Sequence, residues 1–152
     1  MTPFDRRAPA LYIPALAPLY RSIADYGYAF LRICTGAILI PHGVSKLTGG
    51  VDAALAAKLL SAAWWSTGWT TTLGVLELVG GLFLVLGLLT RPVALLLLIE
   101  FLVVLFGVSA ANGWPWIRMG VQYPIMLSVL CVAMIARGGG FHSIDRRLAK
   151  EF

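Results

Sequence analysis

TTLGVLELVGGLFLVLGLLTRPVALLLLIEFLVVLFG, Thr71 to Gly107, decides the fold of this chain. It is two apolar runs divided by Thr90-Arg91-Pro92, and each run carries one acid, Glu77 and Glu100. A bilayer-spanning helix needs about 20 mostly apolar residues. The first run meets that length, the second does so when carried on from Pro92 to Ala111, and Pro92 suits the first turn of a helix. So short a break makes the two helices antiparallel neighbours. An ionisable group inside a span is costly, and so marks a functional site by default.

Two further runs extend the pattern. The expected spans are Tyr26–Leu47, Thr70–Leu89, Pro92–Ala111 and Met119–Ala136. Backbone groups in lipid must be satisfied internally, so all four are expected to be helices. The fold class expected is therefore all-α, a four-helix transmembrane bundle. Residues 1–25 form an interfacial N-terminal segment, 26–137 the membrane domain and 138–152 a cytoplasmic tail. Short interfacial helices are expected in the N-terminal segment, where Pro9, Pro14 and Pro18 interrupt the chain, and in the alanine-rich VDAALAAKLLSAAWW at Val51–Trp65. Trp64, Trp65, Trp69, Trp114 and Trp116 are the interface anchors.

Composition agrees. The 152 residues are 59% hydrophobic and only 12% charged, about half the charge of a soluble domain, and mean hydropathy is +0.85. The net charge of +5 does not point to nucleic acid, because the basic residues flank apolar runs and form no basic face. They do set an orientation. Arg6, Arg7, Arg21, Arg32, Arg91, Arg137, Arg146, Arg147 and Lys150 fall on one side, and Lys46, Lys58 and Arg118 on the other. The positive-inside rule then puts both termini in the cytoplasm. In a bacterium this is an inner-membrane protein. Cys34 and Cys131 lie inside apolar runs without metal-ligand or CxxC spacing. They are read as small apolar filler of similar depth.

In LRICTGAILIPHGVSKL, Leu31 to Leu47, the residues Arg32, Thr35, Leu39, His42 and Lys46 recur at helical spacing and share one face. Pro41 interrupts the helix ladder beside His42. Gly74, Glu77 and Gly81 share a face of the second span, which permits close helix approach or leaves room for a ligand. Counted from the span ends, His42, Lys46, Glu77 and Gln122 reach similar depth in the outer half. Glu100 lies beneath them, near the midplane. Arg32 and Arg91 are expected to extend to the inner headgroups. The cluster can hydrogen-bond a carbonyl or hydroxyl compound and pass protons. Its bland reading is inter-helix bonding alone. No nucleotide loop, metal-ligand cluster or hydrolase triad is evident. A haem between His42 and His142 is not expected, since they fall at opposite ends of the spans.

PHGVSKLTGG at Pro41–Gly50, LELVGGLFLVLGLLTRPVALLL at Leu76–Leu97 and GGGFHSIDRRL at Gly138–Leu148 resemble, in order and spacing, the DoxX family of small four-helix membrane proteins. The resemblance covers roughly residues 26–148. It implies that His42, Lys46 and Glu77 stand at the family's polar positions and Arg91 at its turn position. GVQYP, Gly120 to Pro124, departs from the pattern: Gln122 stands where many relatives have a glutamate. The related DoxD protein is a subunit of a thiosulfate:quinone oxidoreductase, and other relatives are linked to redox stress, quinone detoxification or protein maturation. The leading expectation is a redox-linked subunit with a quinone-like ligand. The alternatives are a non-enzymatic accessory subunit of a membrane oxidoreductase, whose glycine faces meet the partner, and a small-molecule or lipid transporter acting as a homo-oligomer.

Overall fold

The computed structural model describes residues 12–50, 67–107, 109–115 and 120–148, the side chains of 21, 22 and 67 apart. Four helices dominate: α1 (Ala17–Leu47), α2 (Thr67–Leu86), α3 (Thr90–Gly107) and α4 (Gln122–Arg137). A single turn, α5 (Ile144–Arg147), follows. The chain is an all-α membrane protein. α1, α2 and α3 are each long and apolar enough to cross a bilayer, and α4 is a shorter apolar helix. The helix foreseen at residues 51–65, with Trp64 and Trp65, lies outside the described residues, as does Trp116.

α1 starts nine residues before the expected Tyr26. Pro14 opens a 3-10 turn, Pro14–Leu16, and Pro18 sits in the first turn of α1. At these positions a proline's missing N–H and fixed φ favour helix entry rather than oppose it. At 31 residues, α1 is about 46 Å long, more than a bilayer's hydrocarbon core. Pro41 lies within it.

α2 and α3 form the hairpin foreseen from their short break. Gly87 (φ 67°) and Leu89 (φ 49°) make the left-handed backbone of the turn. We call the end of the bundle that holds this turn the turn end, and the opposite end the loop end. α1 packs most extensively on α2, and α3 on α4. The α1–α2 seam is built on glycine. A Cβ on Gly43 would lie 2.5 Å from the Leu78 nitrogen, and one on Gly36 2.4 Å from the Gly81 carbonyl oxygen. Gly74 and Gly81 face back across the seam, towards Gly43 and Gly36. The glycine face of α2 therefore serves close approach within the chain, and is not left for a partner.

The core joins Leu39, Leu84, Val93, Ala94, Leu97, Phe101, Leu127, Cys131 and Met134. Outside it, Phe30, Leu82, Leu96, Phe106 and Val129 are exposed in the isolated chain, as lipid-facing side chains are. Both cysteines are free, Cys131 in the core and Cys34 half-buried.

The turn end is closed by two polar clasps. Arg32 is 1% exposed. Its Nη1 donates to the carbonyls of Leu84 and Val85, and its Nη2 to that of His142 at 2.7 Å. The expected headgroup-reaching Arg32 is instead a buried cap for the last turn of α2, where unsatisfied carbonyls and the helix dipole favour a cation. Asp145 does the converse for α3. Its Oδ1 and Oδ2 accept from the backbone N–H groups of Leu89 at 2.7 Å and Thr90 at 2.9 Å. Ser143 caps α5 by accepting from the Arg146 N–H. The Ser-Ile-Asp of residues 143–145 thus docks on the α2–α3 turn. Arg91 is half-buried beside it. Arg137 pairs with Asp25 at 3.0 Å, both about half exposed, and lies over the Tyr28 ring.

Candidate functional site

The hairpin sets the depth of the two acids. Glu77 lies ten residues before Gly87, and Glu100 ten after Thr90. Antiparallel helices that share a turn place such residues level, about 15 Å from it. Glu77 and Glu100 therefore meet halfway along the bundle. The expectation that Glu100 stands apart beneath the others is corrected. Counted within its own span, Glu77 is measured from the loop end and Glu100 from the turn end, so the two depths have different origins.

Lys46 reaches them from the last turn of α1. Its Nζ lies 2.7 Å from Glu77 Oε1 and 3.4 Å from Glu100 Oε1. A helical side chain leans toward its own N-terminus, which for Lys46 is toward the middle of the bundle. Gly43 and Gly74 allow it, because Gly74 faces the Lys46 Cβ and no side chain intervenes. The three side chains are 14%, 7% and 1% exposed. Glu100 Oε2 is buried, and the Glu77 carboxyl lies within hydrogen-bond reach of Glu100.

The charge count limits what this trio can hold. One ammonium faces two carboxyls. With both carboxyls ionised, the group carries a net negative charge in an apolar bundle, which is costly. One further proton shared within the group makes it neutral, as where two carboxyls occupy one site. The trio is thus a place where a single proton can be held or released.

Around it the polar stripe of α1 is largely internal. Thr35 is 2% and Leu39 0% exposed. Thr35 Oγ1 donates to the carbonyl of Leu31 in its own helix. His42 is half-buried one turn before Lys46, and its ring centroid lies 5.6 Å from that of Tyr123, at 50°. Gln122 is not brought to the cluster; it is exposed. Tyr123, next in sequence, faces inward in its place. The signal for this was the spacing of Leu127, Cys131 and Met134, since Tyr123 lies four residues before Leu127, on the buried face, and Gln122 four before exposed Met126. No group of three or more His, Cys, Asp or Glu side chains with metal-binding geometry occurs among the described residues.

A family model described as DoxX matches residues 27–110, which hold α2, α3, most of α1 and all three charged groups of the trio. An uncharacterized protein of Haemophilus influenzae is 31% identical over 136 residues, covering 83% of this chain and 93% of that one. No solved structure matches.

Proposed function

This chain belongs to the DoxX family of membrane proteins, and from that premise we propose that it is a redox-linked membrane subunit. Its Lys46–Glu77–Glu100 centre would hold a quinone-like or other amphipathic carbonyl compound and handle the protons of its reduction or oxidation. One observation carries this reading: a lysine bridges carboxyls from two other helices at mid-bundle, in a nearly closed apolar interior.

The donor set fits such a ligand. The Lys46 ammonium has three N–H groups and directs them at two carboxyls, leaving one for a ligand oxygen. His42 and the Tyr123 ring supply a half-buried aromatic wall. A hydroxyl on the ligand would donate to Glu100 Oε2. Glu77 holds the ammonium in place. Thr35, Gly74 and Gly81 support the site through packing, and Arg32 and Arg91 act at the distant turn end. Electrons would come from a partner oxidoreductase subunit, and protons through the trio. The distribution of Lys and Arg supports both termini on the cytoplasmic side, of what in a bacterium would be the inner membrane.

A second reading has its own support. The trio ties α1, α2 and α3 together, as a purely structural cluster in an accessory subunit would. The test is mass spectrometry of organic extracts from the purified protein, with its visible spectrum. The redox reading expects a quinone in the wild-type extract that is depleted in Glu100→Gln and Glu77→Ala. Extracts with no quinone above the membrane background, and copurification of an oxidoreductase that survives both substitutions, would favour the accessory role.

A further inference from the structure

The two halves of the bundle on either side of the trio differ in chemistry. Toward the turn end the interior is apolar for about two helical turns, roughly 10 Å. Leu84 lies seven residues beyond Glu77 on the same face and is 0% exposed. Leu97 and Ala94 continue the Glu100 face at 0%, and Leu39 the Lys46 face at 0%. Between the trio and the turn-end clasps, the buried hydroxyls among the described residues are those of Thr35 and Ser128, and both are spent on their own helices. Thr35 Oγ1 donates to Leu31 and Ser128 Oγ to Pro124, at 2.8 and 2.7 Å. Beyond this layer Arg32 and Asp145 close the turn end with backbone hydrogen bonds.

Toward the loop end the polar groups continue. Thr70, seven residues before Glu77 on the same face, is half-buried where Leu84 is sealed. His42, Ser45 and Tyr123 are half-buried as well. Lys46, the one member of the trio near a helix end, is also its most exposed.

We propose that the trio exchanges its proton with water through the loop end alone, with Lys46 as the residue that connects the two carboxyls to that face. In the exchange a carboxyl O–H bond breaks, the proton passes to water at the loop end, and the return step reverses it. The apolar layer of Leu39, Leu84, Ala94 and Leu97 blocks the turn end, because a proton needs a continuous chain of hydrogen-bonding groups and this layer offers none. The inference rests on the proton-handling reading of the trio and adds its sidedness.

The test is thiol labelling of the full-length chain in right-side-out and inverted membrane vesicles, with a charged, membrane-impermeant methanethiosulfonate as probe. In a Cys34→Ala, Cys131→Ala background, Thr48→Cys reports the loop end and Arg147→Cys the turn end. Lys46→Cys and Glu77→Cys, made separately, report the trio. Both are expected to react from the face that labels Thr48→Cys, about tenfold or more faster than from the other, since thiol reactivity follows water access. Equal rates from both faces, faster reaction from the Arg147→Cys face, or no reaction from either would overturn the proposal. A measurement that leaves the trio intact guards against misfolding: in a Cys34→Ala protein, Cys131 is expected to resist the probe from both faces, and its labelling from the turn-end face would overturn the seal. No ligand enters these assays. Protein that binds quinone but labels from both faces overturns the sidedness and leaves the redox reading standing; one-sided labelling without bound quinone does the reverse.

Discussion

At the scale of single residues, the trio is an unequal set, and its asymmetry predicts an order of effects. Removing the cation by Lys46→Met leaves two buried carboxyls with no counter-charge. Breaking a buried pair from one side costs about 3–5 kcal/mol, so this substitution is expected to be the most damaging. Glu77→Gln removes the partner at 2.7 Å and leaves Lys46 with the longer 3.4 Å contact. Glu100→Gln removes the second carboxylate and leaves the short pair intact, so it is expected to be the mildest. Thermal unfolding of the three variants in one detergent checks the order; a Glu100→Gln protein less stable than Lys46→Met would refute the charge count. Much of this site was legible. His42, Lys46 and Glu77 stand out as polar residues in apolar runs, and the helical spacing of Arg32, Thr35, Leu39 and Lys46 gives the buried face. What was not read was depth and rotation. Glu100 joins Glu77 only when both are counted from their shared turn. Gln122 and Tyr123 are adjacent, about 100° apart on a helix, so the polar character of the pair does not say which one faces inward. Arg32 gave no local sign of its role, because the carbonyls it caps lie more than 50 residues away.

At the scale of elements, the α1–α2 seam makes glycines at different positions of one helix opposite in effect. Gly27 has nothing within 4 Å of an added Cβ. Gly27→Ala is therefore expected to stabilise α1 by up to about 1 kcal/mol through helix propensity. Gly43→Ala would set a methyl 2.5 Å from the Leu78 nitrogen and 2.6 Å from the Gly74 oxygen. Both are backbone atoms of α2, which cannot rotate aside, so the helices must separate. Separation would also draw Lys46, one turn along α1, from Glu77. Gly43→Ala is expected to lower the unfolding temperature and Gly27→Ala to raise it, and a rise for both would mean the seam is looser than described. Overpacking of this kind costs about 1–3 kcal/mol. The sequence shows Gly74 and Gly81 on one face of α2, but leaves open what they meet. Gly36 and Gly43 answer that only once α1 is laid antiparallel to α2, a pairing that periodicity within one helix does not contain.

At the scale of the whole molecule, Arg32 and Asp145 tie the turn end shut, and this bears on both termini. Arg32 of α1 holds the His142 carbonyl, and Asp145 holds the start of α3. The chain after α4 is thereby fixed to the face where the early part of α1 also lies, with Asp25 against Arg137 and Tyr26 stacked on His142 at 4.6 Å. Replacing Asp145 by Ala removes both acceptors at the α3 N-terminus. Loss of a helix cap costs about 0.5–2 kcal/mol, and the segment from Gly138 onward would lose one of its ties to the turn end. Limited proteolysis in membranes is expected to trim the tail of Asp145→Ala faster than that of the wild type, and equal rates would show that the remaining ties, Arg32 to the His142 carbonyl and the backbone N–H of residue 145 to the Gly87 carbonyl, hold it without the carboxylate. The same geometry makes orientation testable. Basic residues gather near the turn end, with Arg91, Arg137, Arg146 and Arg147, while among the described residues of the loop end Lys46 points inward to its carboxyls. The positive-inside bias then predicts that the turn end faces the cytoplasm. A reporter enzyme that needs disulfides to fold is active only outside the reducing cytosol. Fused after Gly50 it is expected to be active, and fused after Phe152 inactive. The reverse pattern would place the loop end, and with it the water-facing side of Lys46, in the cytoplasm.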